Sequence, residues 1–377
     1  MLSNHGPEFA ILDKPVLLCF SHLRWDFVYQ RPQHLMSHAM RDYRVFYIEE
    51  PLIEPVQPHL RVVLDSSGVT VVTPVFDHHR DPLEEQRRLV SGFLAMLKPS
   101  RIVQWFYTPM ALPIAESIAS DLIIYDCMDE LSAFRFAPAE LRQREADLLA
   151  RADLVFTGGA SLFAAKRDLH DSAHCFPSSV DKAHFGKARQ NPADPGDQAG
   201  LPNPRIGYFG VIDERMDLDL VAQVAADLAD VQFVMVGPVV KIDQNDLPRA
   251  SNIHWLGGRT YADLPAYLGN WQAGWMPFAL NESTRFISPT KTPEFLAAGL
   301  PVTSTAVRDV VAGWGDEGLV RIADKGSMAA ALRASLSAQP ADWLEQVDRR
   351  LALMSWDQTW GEMHALMAAK LRVAESA

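Results

Sequence analysis

The chain has 377 residues, 48% of them hydrophobic, which is too long for one compact core and long enough for two domains of ordinary size. A net charge of −12, with no strongly basic window, excludes the basic face that a nucleic-acid binder needs. Three cysteines, Cys19, Cys127 and Cys175, stand far apart without zinc-type spacing or an even-numbered disulfide framework, which fits a reducing cytoplasm.

The opening segment has no basic leader, and its apolar run from Val16 to Phe20 is far shorter than a signal or spanning segment. No other window approaches the ~20 apolar residues of a membrane span, so any membrane contact is expected to be peripheral. The first predicted strand, "PVLLCFS", runs into "HLRWDFVYQRPQHL", a loop that opens a helix near Arg31 or Pro32. In an open parallel sheet, ligands lie beyond the carboxyl ends of the strands. A loop there holding His22, Arg24, Trp25, Asp26, Gln30 and Arg31 therefore suits binding. Arg24 and Arg31 can meet a phosphate and Trp25 can stack on a ring, whereas His34 suits packing as well as it suits a ligand.

The strands "RVFYIEE", "RIVQWFY", "LIIYDCM" and "LVFTGG" follow, separated in several places by helix-length segments, and predict a parallel α/β sheet. The stretch "LIIYDCMDELSAF" ends its strand with Asp126, Asp129 and Glu130. Clustered carboxylates at a strand end serve acid–base work or hydroxyl binding, and they serve equally to cap a helix starting near Leu131. Asp129 is the leading base candidate, with Asp126 and His22 behind it.

The Pro-, Gly- and Asp-rich run "GKARQNPADPGDQAGLPNP" reads as a linker from Gly186. A second parallel sheet is predicted from "RIGYFGV", "VQFVMVG", "IHWLGG", "AGWMPF" and "PVTST". After the first of these, Gly207 and Gly210 either allow a phosphate to approach the backbone or simply make a tight strand-to-helix turn, and Arg215 can offer a forked guanidinium. Asp217 and Asp219 form an Asp-x-Asp, but in what reads as the first turn of a helix, where carboxylates complement the macrodipole rather than hold a metal.

In "FISPTKTPEFLAAGLPV", Ser288, Pro289 and Thr290 lead into a helix near Thr292 or Pro293. Helix-start amides with Lys291 make a pocket for a diphosphate, and Glu294, one turn in, can accept from a ribose diol. The small run Ala297–Gly299 lets that helix press on the sheet. Finally, Trp356, Trp360, Met363 and Met367 share one helical face, predicting a closing helix that covers a core.

The string "SPTKTPEFLAAGLPV" resembles the donor-site signature of the GT-B glycosyltransferases, close to the family-4 retaining enzymes and their relatives in bacterial polysaccharide and teichuronic acid biosynthesis. "FSHLRWDFVYQRPQHLMS", "YDCMDELSAF", "DLVFTGG" and "FPSSVDKAHF" extend the resemblance over nearly the whole chain. It implies two Rossmann-like domains facing across a cleft, with residues 1–185 binding the acceptor, 186–204 linking, 205–354 binding the nucleotide sugar and 355–377 closing back on the first domain. It further implies Gly210, Arg215, Lys291 and Glu294 as donor residues and a nucleoside-diphosphate sugar as substrate; because Lys291, Arg215 and the helix-start amides would meet the diphosphate charge, no metal and no cofactor are expected. The acceptor implied is a saccharide, lipid-linked in surface-polysaccharide assembly.

Many members carry a glutamate eight positions before the one matched by Glu294, and here that position is Phe286. Glu282 and Asn281 lie in the same loop as substitutes. A base at Asp129 would imply inversion at the anomeric carbon, whereas the resemblance implies retention. Two other readings suit the same architecture. A nucleotide-sugar epimerase would need no acceptor site, and a non-catalytic sugar-binding partner would explain the missing acid at Phe286.

Overall fold

The computed structural model describes residues 14–376, so the leader-free opening expected above lies largely outside the described residues. Two parallel sheets make up the molecule. The first is built from β1 (Val16–Ser21), β2 (Arg44–Glu49), β3 (Leu52–Ile53), β4 (His59–Leu64), β5 (Thr70–Phe76), β6 (Ile102–Phe106), β7 (Leu122–Cys127), β8 (Leu154–Thr157) and β9 (Ala173–Cys175). Among the described residues its order is β3-β5-β2-β1-β6-β7-β8-β9, with β4 antiparallel on β5. All six residues of β1 are buried, because the sheet is covered on both faces. Alternation divides them: Leu17 and Cys19 enter one apolar cluster, and Val16, Leu18 and Phe20 the other.

The second sheet comprises β10 (Arg205–Phe209), β11 (Gln232–Val236), β12 (Ile253–Gly257), β13 (Ala273–Met276), β14 (Val302–Ser304) and β15 (Val320–Ile322). Its order is β12-β11-β10-β13-β14-β15, all parallel. The chain reverses direction across the sheet beside β10, and a ligand crevice is expected at the carboxyl end of that strand.

The expected strands are present, and the sequence reading passed over β3, β4, β5, β9 and β15. β5 is a strand although it contains Pro74, which pairs with Leu60 of the antiparallel β4. The run expected as a linker is packed rather than loose. Within residues 186–204, Ala188 belongs to the core of the second sheet, and Gln198 is fully buried, accepting from the Trp271 indole at 3.0 Å. The closing helix, Trp356–Ser376, returns to the first sheet. Trp356, Trp360, Met363 and Met367 are buried there with Leu35 and Met36 of the helix Arg31–Ala39. No helix among the described residues is long and apolar enough to cross a membrane.

Candidate active site

The carboxyl ends of β10 and β13 and the first turn of the helix Lys291–Ala297 converge on one point. Gly210 follows β10 with φ +124°, and a Cβ there would fall inside the Lys291 side chain. Glycine is required on both counts: backbone angle and room for the lysine stem. The Lys291 ammonium lies 6.0 Å from the centre of the Tyr208 ring and has no ion-pair partner among the described residues. Burial lowers its pKa, with Glu294 opposing the shift. Glu294 is buried too, and its carboxyl is pushed up to about 8 by desolvation, with Lys291 holding it back. No hydrogen-bond partner of that carboxylate occurs among the described residues. A cation and an acceptor with unspent hydrogen-bonding capacity thus stand one turn apart on a helix start, as a ribosyl diphosphate requires.

Arg215 is fixed by Asp213, whose carboxylate takes its Nη2 at 2.7 Å and its Nε at 3.0 Å. Its outer face lies over the Phe134 ring at 5.4 Å. Ser288, Pro289, Thr290, Lys291, Tyr208 and Arg215 line a small cavity of about 70 Å³. Asp129, Met128 and Gln30 line it from the first half of the molecule, and the same three residues, with Arg215, also line an adjoining cavity of about 430 Å³. That larger space is walled by His22, Phe27, Met110, Phe134, Phe136 and Lys241 among others. Burial raises the pKa of Asp129, while Arg215, Lys291 and Lys241 oppose the rise and Asp213 adds to it. His22 is pushed down to about 4 by burial and by Lys241, so its ring is neutral at pH 7. Its Nδ1 is buried without a partner among the described residues.

Several residues expected at the site are occupied elsewhere. Asp126 is fully buried and takes Arg31 through Nε at 3.0 Å and Nη2 at 2.8 Å, while Arg31 Nη1 donates to the Phe176 carbonyl at 2.7 Å. A buried carboxylate is tolerated only with such a partner, so Asp126 holds the framework, and Arg31 is anchored by that pair while also lining the smaller cavity. Trp25 is buried edge-on to Tyr47 with centroids 4.9 Å apart, so it cannot be an open stacking platform. Arg24 does line the larger cavity but is drawn to Glu49 at 3.1 Å and to the Pro51 carbonyl at 3.1 Å. Asp26 is exposed, and Glu282 is exposed with only a loose pair to Arg285 at 3.8 Å. Neither faces the two cavities.

Phe286, standing where an acid was expected, packs beside the core of the first sheet with Arg285 over its ring at 5.2 Å. Its position serves an apolar contact between the two halves. Asp217 caps the helix Leu218–Asp227 by accepting from Leu220 N at 2.8 Å, as its place in the sequence suggested. Sequence reasoning missed Lys241, Phe134, Phe136, Asp213 and Met110. Lys241 lies a few residues beyond β11, where the strand-end rule would have reached it.

Residues 203–338 match the family model described as Glycosyl transferases group 1. Over 244 residues the chain is 28% identical to a Bacillus subtilis (strain 168) protein named as a teichuronic acid biosynthesis glycosyltransferase, TuaH. That alignment covers 58% of this chain and 60% of the relative. Among solved structures, the sucrose-phosphate synthase of Thermosynechococcus elongatus superposes with a TM-score of 0.71 at 15% identity, covering 96% of this chain and all 100% of that one. An E. coli structure described as trehalose-6-phosphate bound with UDP-2-fluoro glucose gives 0.70 at 10% identity, covering 94% and 99%. The fold is therefore GT-B, and the part of the chain that matches the group 1 glycosyl transferases model, residues 203–338, spans the second of its two sheets.

Proposed function

We propose that the chain transfers a glycosyl unit from a nucleoside-diphosphate sugar to a hydroxyl of a saccharide, the acceptor carried on a lipid in surface-polysaccharide assembly at the cytoplasmic face of the membrane. The observation that carries this reading is the meeting of the two cavities at Asp129 and Arg215. A donor pocket that opens into a second, larger chamber suits group transfer. An epimerase would need only the first. The UDP-sugar complex among the superposable structures supports the donor class, and the relative named for teichuronic acid biosynthesis supports the polysaccharide setting.

In this reading the half up to residue 185 holds the acceptor and residues 205–354 hold the donor. Lys291 meets the diphosphate with the backbone near Ser288 to Thr290, Arg215 meets it from the opposite side, and Glu294 takes the ribose. As the bond from the anomeric carbon to the phosphate oxygen breaks, charge grows on the leaving diphosphate, so these cations stabilise the transition state more than the ground state. The acceptor oxygen bonds to the same carbon and its proton passes either to Asp129, with inversion, or to the departing phosphate oxygen, with retention. Contact between the halves keeps out water that would otherwise hydrolyse the donor. No metal is needed to neutralise the diphosphate.

Calorimetry with uridine, guanosine and thymidine diphosphates tests the donor site. Lys291→Ala should weaken the tightest of them by about 1.5–3 kcal/mol, and unchanged affinity in a folded variant would remove Lys291 from the site. Transfer should also survive a chelator. Loss of turnover in EDTA, restored only by a divalent ion, would end the cation-only mechanism.

A further inference from the structure

The outer edge of the first sheet stands apart from the site. β4 pairs with β5 alone among the described strands, and no residue of β4 lines either of the two cavities. Val62, Val63 and Leu64, consecutive on β4, are 49%, 53% and 72% exposed, so apolar side chains stand in water on both faces of an unpaired edge. Edge strands of that kind are normally short, charged or covered, because they template pairing with another chain. β4 runs for six residues, and Arg61 is its one Lys, Arg, Asp or Glu.

The hairpin that joins β4 to β5 determines which backbone groups the edge presents. The Asp65 amide donates to the Val69 carbonyl at 2.9 Å and the Gly68 amide to the Asp65 carbonyl at 2.9 Å, with Gly68 at φ +89°. Position 65 therefore bonds inward, toward β5. Alternation along an antiparallel ladder then turns the peptide groups of Arg61 and Val63 toward β5 and those of Leu60, Val62 and Leu64 outward. The pairing of Pro74 with Leu60 agrees, since a residue opposite an outward-facing position has no N–H to give to β4.

A second β4, laid antiparallel with Val63 on a two-fold axis, complements the first. Val62 of each copy then lies opposite Leu64 of the other, and these outward-facing residues exchange backbone hydrogen bonds. Arg61 lies opposite Asp65, on the same face as the Val63 pair, so opposite charges flank an apolar centre. Both groups have capacity left for this. Arg61 gives one Nη to Glu54 at 3.0 Å, and Asp65 takes the Ser67 amide on one oxygen at 2.7 Å, out of the roughly four bonds a carboxylate accepts. A register centred on Val62 would set Arg61 against Val63 instead. We propose that the protein forms a two-fold dimer through β4, which joins the first sheets of two copies into one continuous sheet. The partner is a second copy because self-pairing alone supplies the acid for Arg61 and the apolar cover for Val62 and Leu64 together.

Sedimentation equilibrium on the full chain tests this. The mass should rise from 42.0 kDa toward twice that value between about 1 and 100 µM, as expected for a small interface. Val63→Lys sets two ammonium groups face to face on the axis and should leave single chains throughout. Arg61→Asp and Asp65→Arg should each do the same, and an equimolar mixture of the two should recover the dimer, because each charge then meets its opposite. Val63→Cys under mild oxidation should cross-link two chains, since a non-hydrogen-bonded pair holds its Cα atoms about 4.5 Å apart. Val62→Cys should cross-link far less, with the native chain as the control for Cys175. The urea midpoint of each variant checks that it folds, and Val63→Lys with Val63→Cys suffices if Asp65→Arg does not.

A mass that stays at one chain up to about 100 µM overturns the inference. So does a dimer that survives Val63→Lys, a mixture of folded charge variants that stays monomeric, or cross-linking stronger at position 62 than at position 63.

Discussion

Gly210 and Lys291 act as one unit, since the lysine stem occupies the space a Cβ at position 210 would fill. Gly210→Ala should therefore lower nucleoside diphosphate affinity about as much as Lys291→Ala, and the two changes should combine less than additively in a double-mutant cycle. Full additivity would show that the glycine matters only to the backbone. Asp129 offers a sharper test. If it takes the acceptor proton, Asp129→Asn should keep donor affinity and lose about 10²–10⁴-fold in rate. If it is only electrostatic scenery, turnover stays near wild type. Product stereochemistry checks the answer independently, because a base at this position requires inversion. The sequence made Asp129 and Asp126 look alike. Only the fold separates them, by sealing Asp126 against Arg31 and leaving Asp129 where the two cavities meet.

Between elements, the contact that joins the two halves behind the donor loop is a cap supplied in trans. Asp309, from the second half, accepts from the Ser161 amide at 3.1 Å and from the Ser161 hydroxyl at the start of the helix Ala160–Lys166. Gly159 beside it has no room for a Cβ, because Ser288 of the donor loop presses against the same point. Asp309→Ala should cost about 0.5–2 kcal/mol in chemical denaturation, the range of a lost helix cap. A neutral outcome would mean the cap adds nothing to the assembled fold. No sequence pattern announces a residue that caps a helix well over a hundred positions away. Its partner Ser161 reads as an ordinary first-turn serine, and only the approach of the two sheets makes it a cross-link.

At the scale of the molecule, the halves also meet through an aromatic cluster. His34 stacks on Trp356 with centroids 4.5 Å apart and stands edge-on to Tyr29, which in turn stacks on Tyr261 at 4.6 Å. Burial pushes the His34 pKa down from 6.5 to about 3, with His38 and His184 adding to the shift. The native state thus keeps the ring neutral where the unfolded chain takes up a proton. The stability that neutrality confers is complete above pH 6.5 and is lost as pH falls toward about 3. His34→Phe keeps the stacking and removes the titration. The loss of stability between pH 7 and pH 5 should shrink by about 2 kcal/mol in urea denaturation. An equal loss in both proteins would assign the acid sensitivity to other groups, of which His22 is the next candidate.

The sequence by itself determined the two parallel sheets, the donor loop and the closing helix. Each is a local pattern: apolar runs at strand length, a polar turn before a small-residue helix, and one aromatic face at helical spacing. The residues proposed for the donor were brought to notice for the same reason, because Lys291 and Glu294 share one helix start and Gly210 follows one strand directly. The larger cavity was not legible. It is assembled from loops after β1, β2, β6, β7, β10 and β11, and which of their polar residues face it depends on partners distant in the chain. Arg31 and Trp25 were lost to it in that way, each drawn into the framework by a residue the local pattern does not mention. Lys241 and Phe134 were brought into it because tertiary contact set a cation of one half on an aromatic ring of the other.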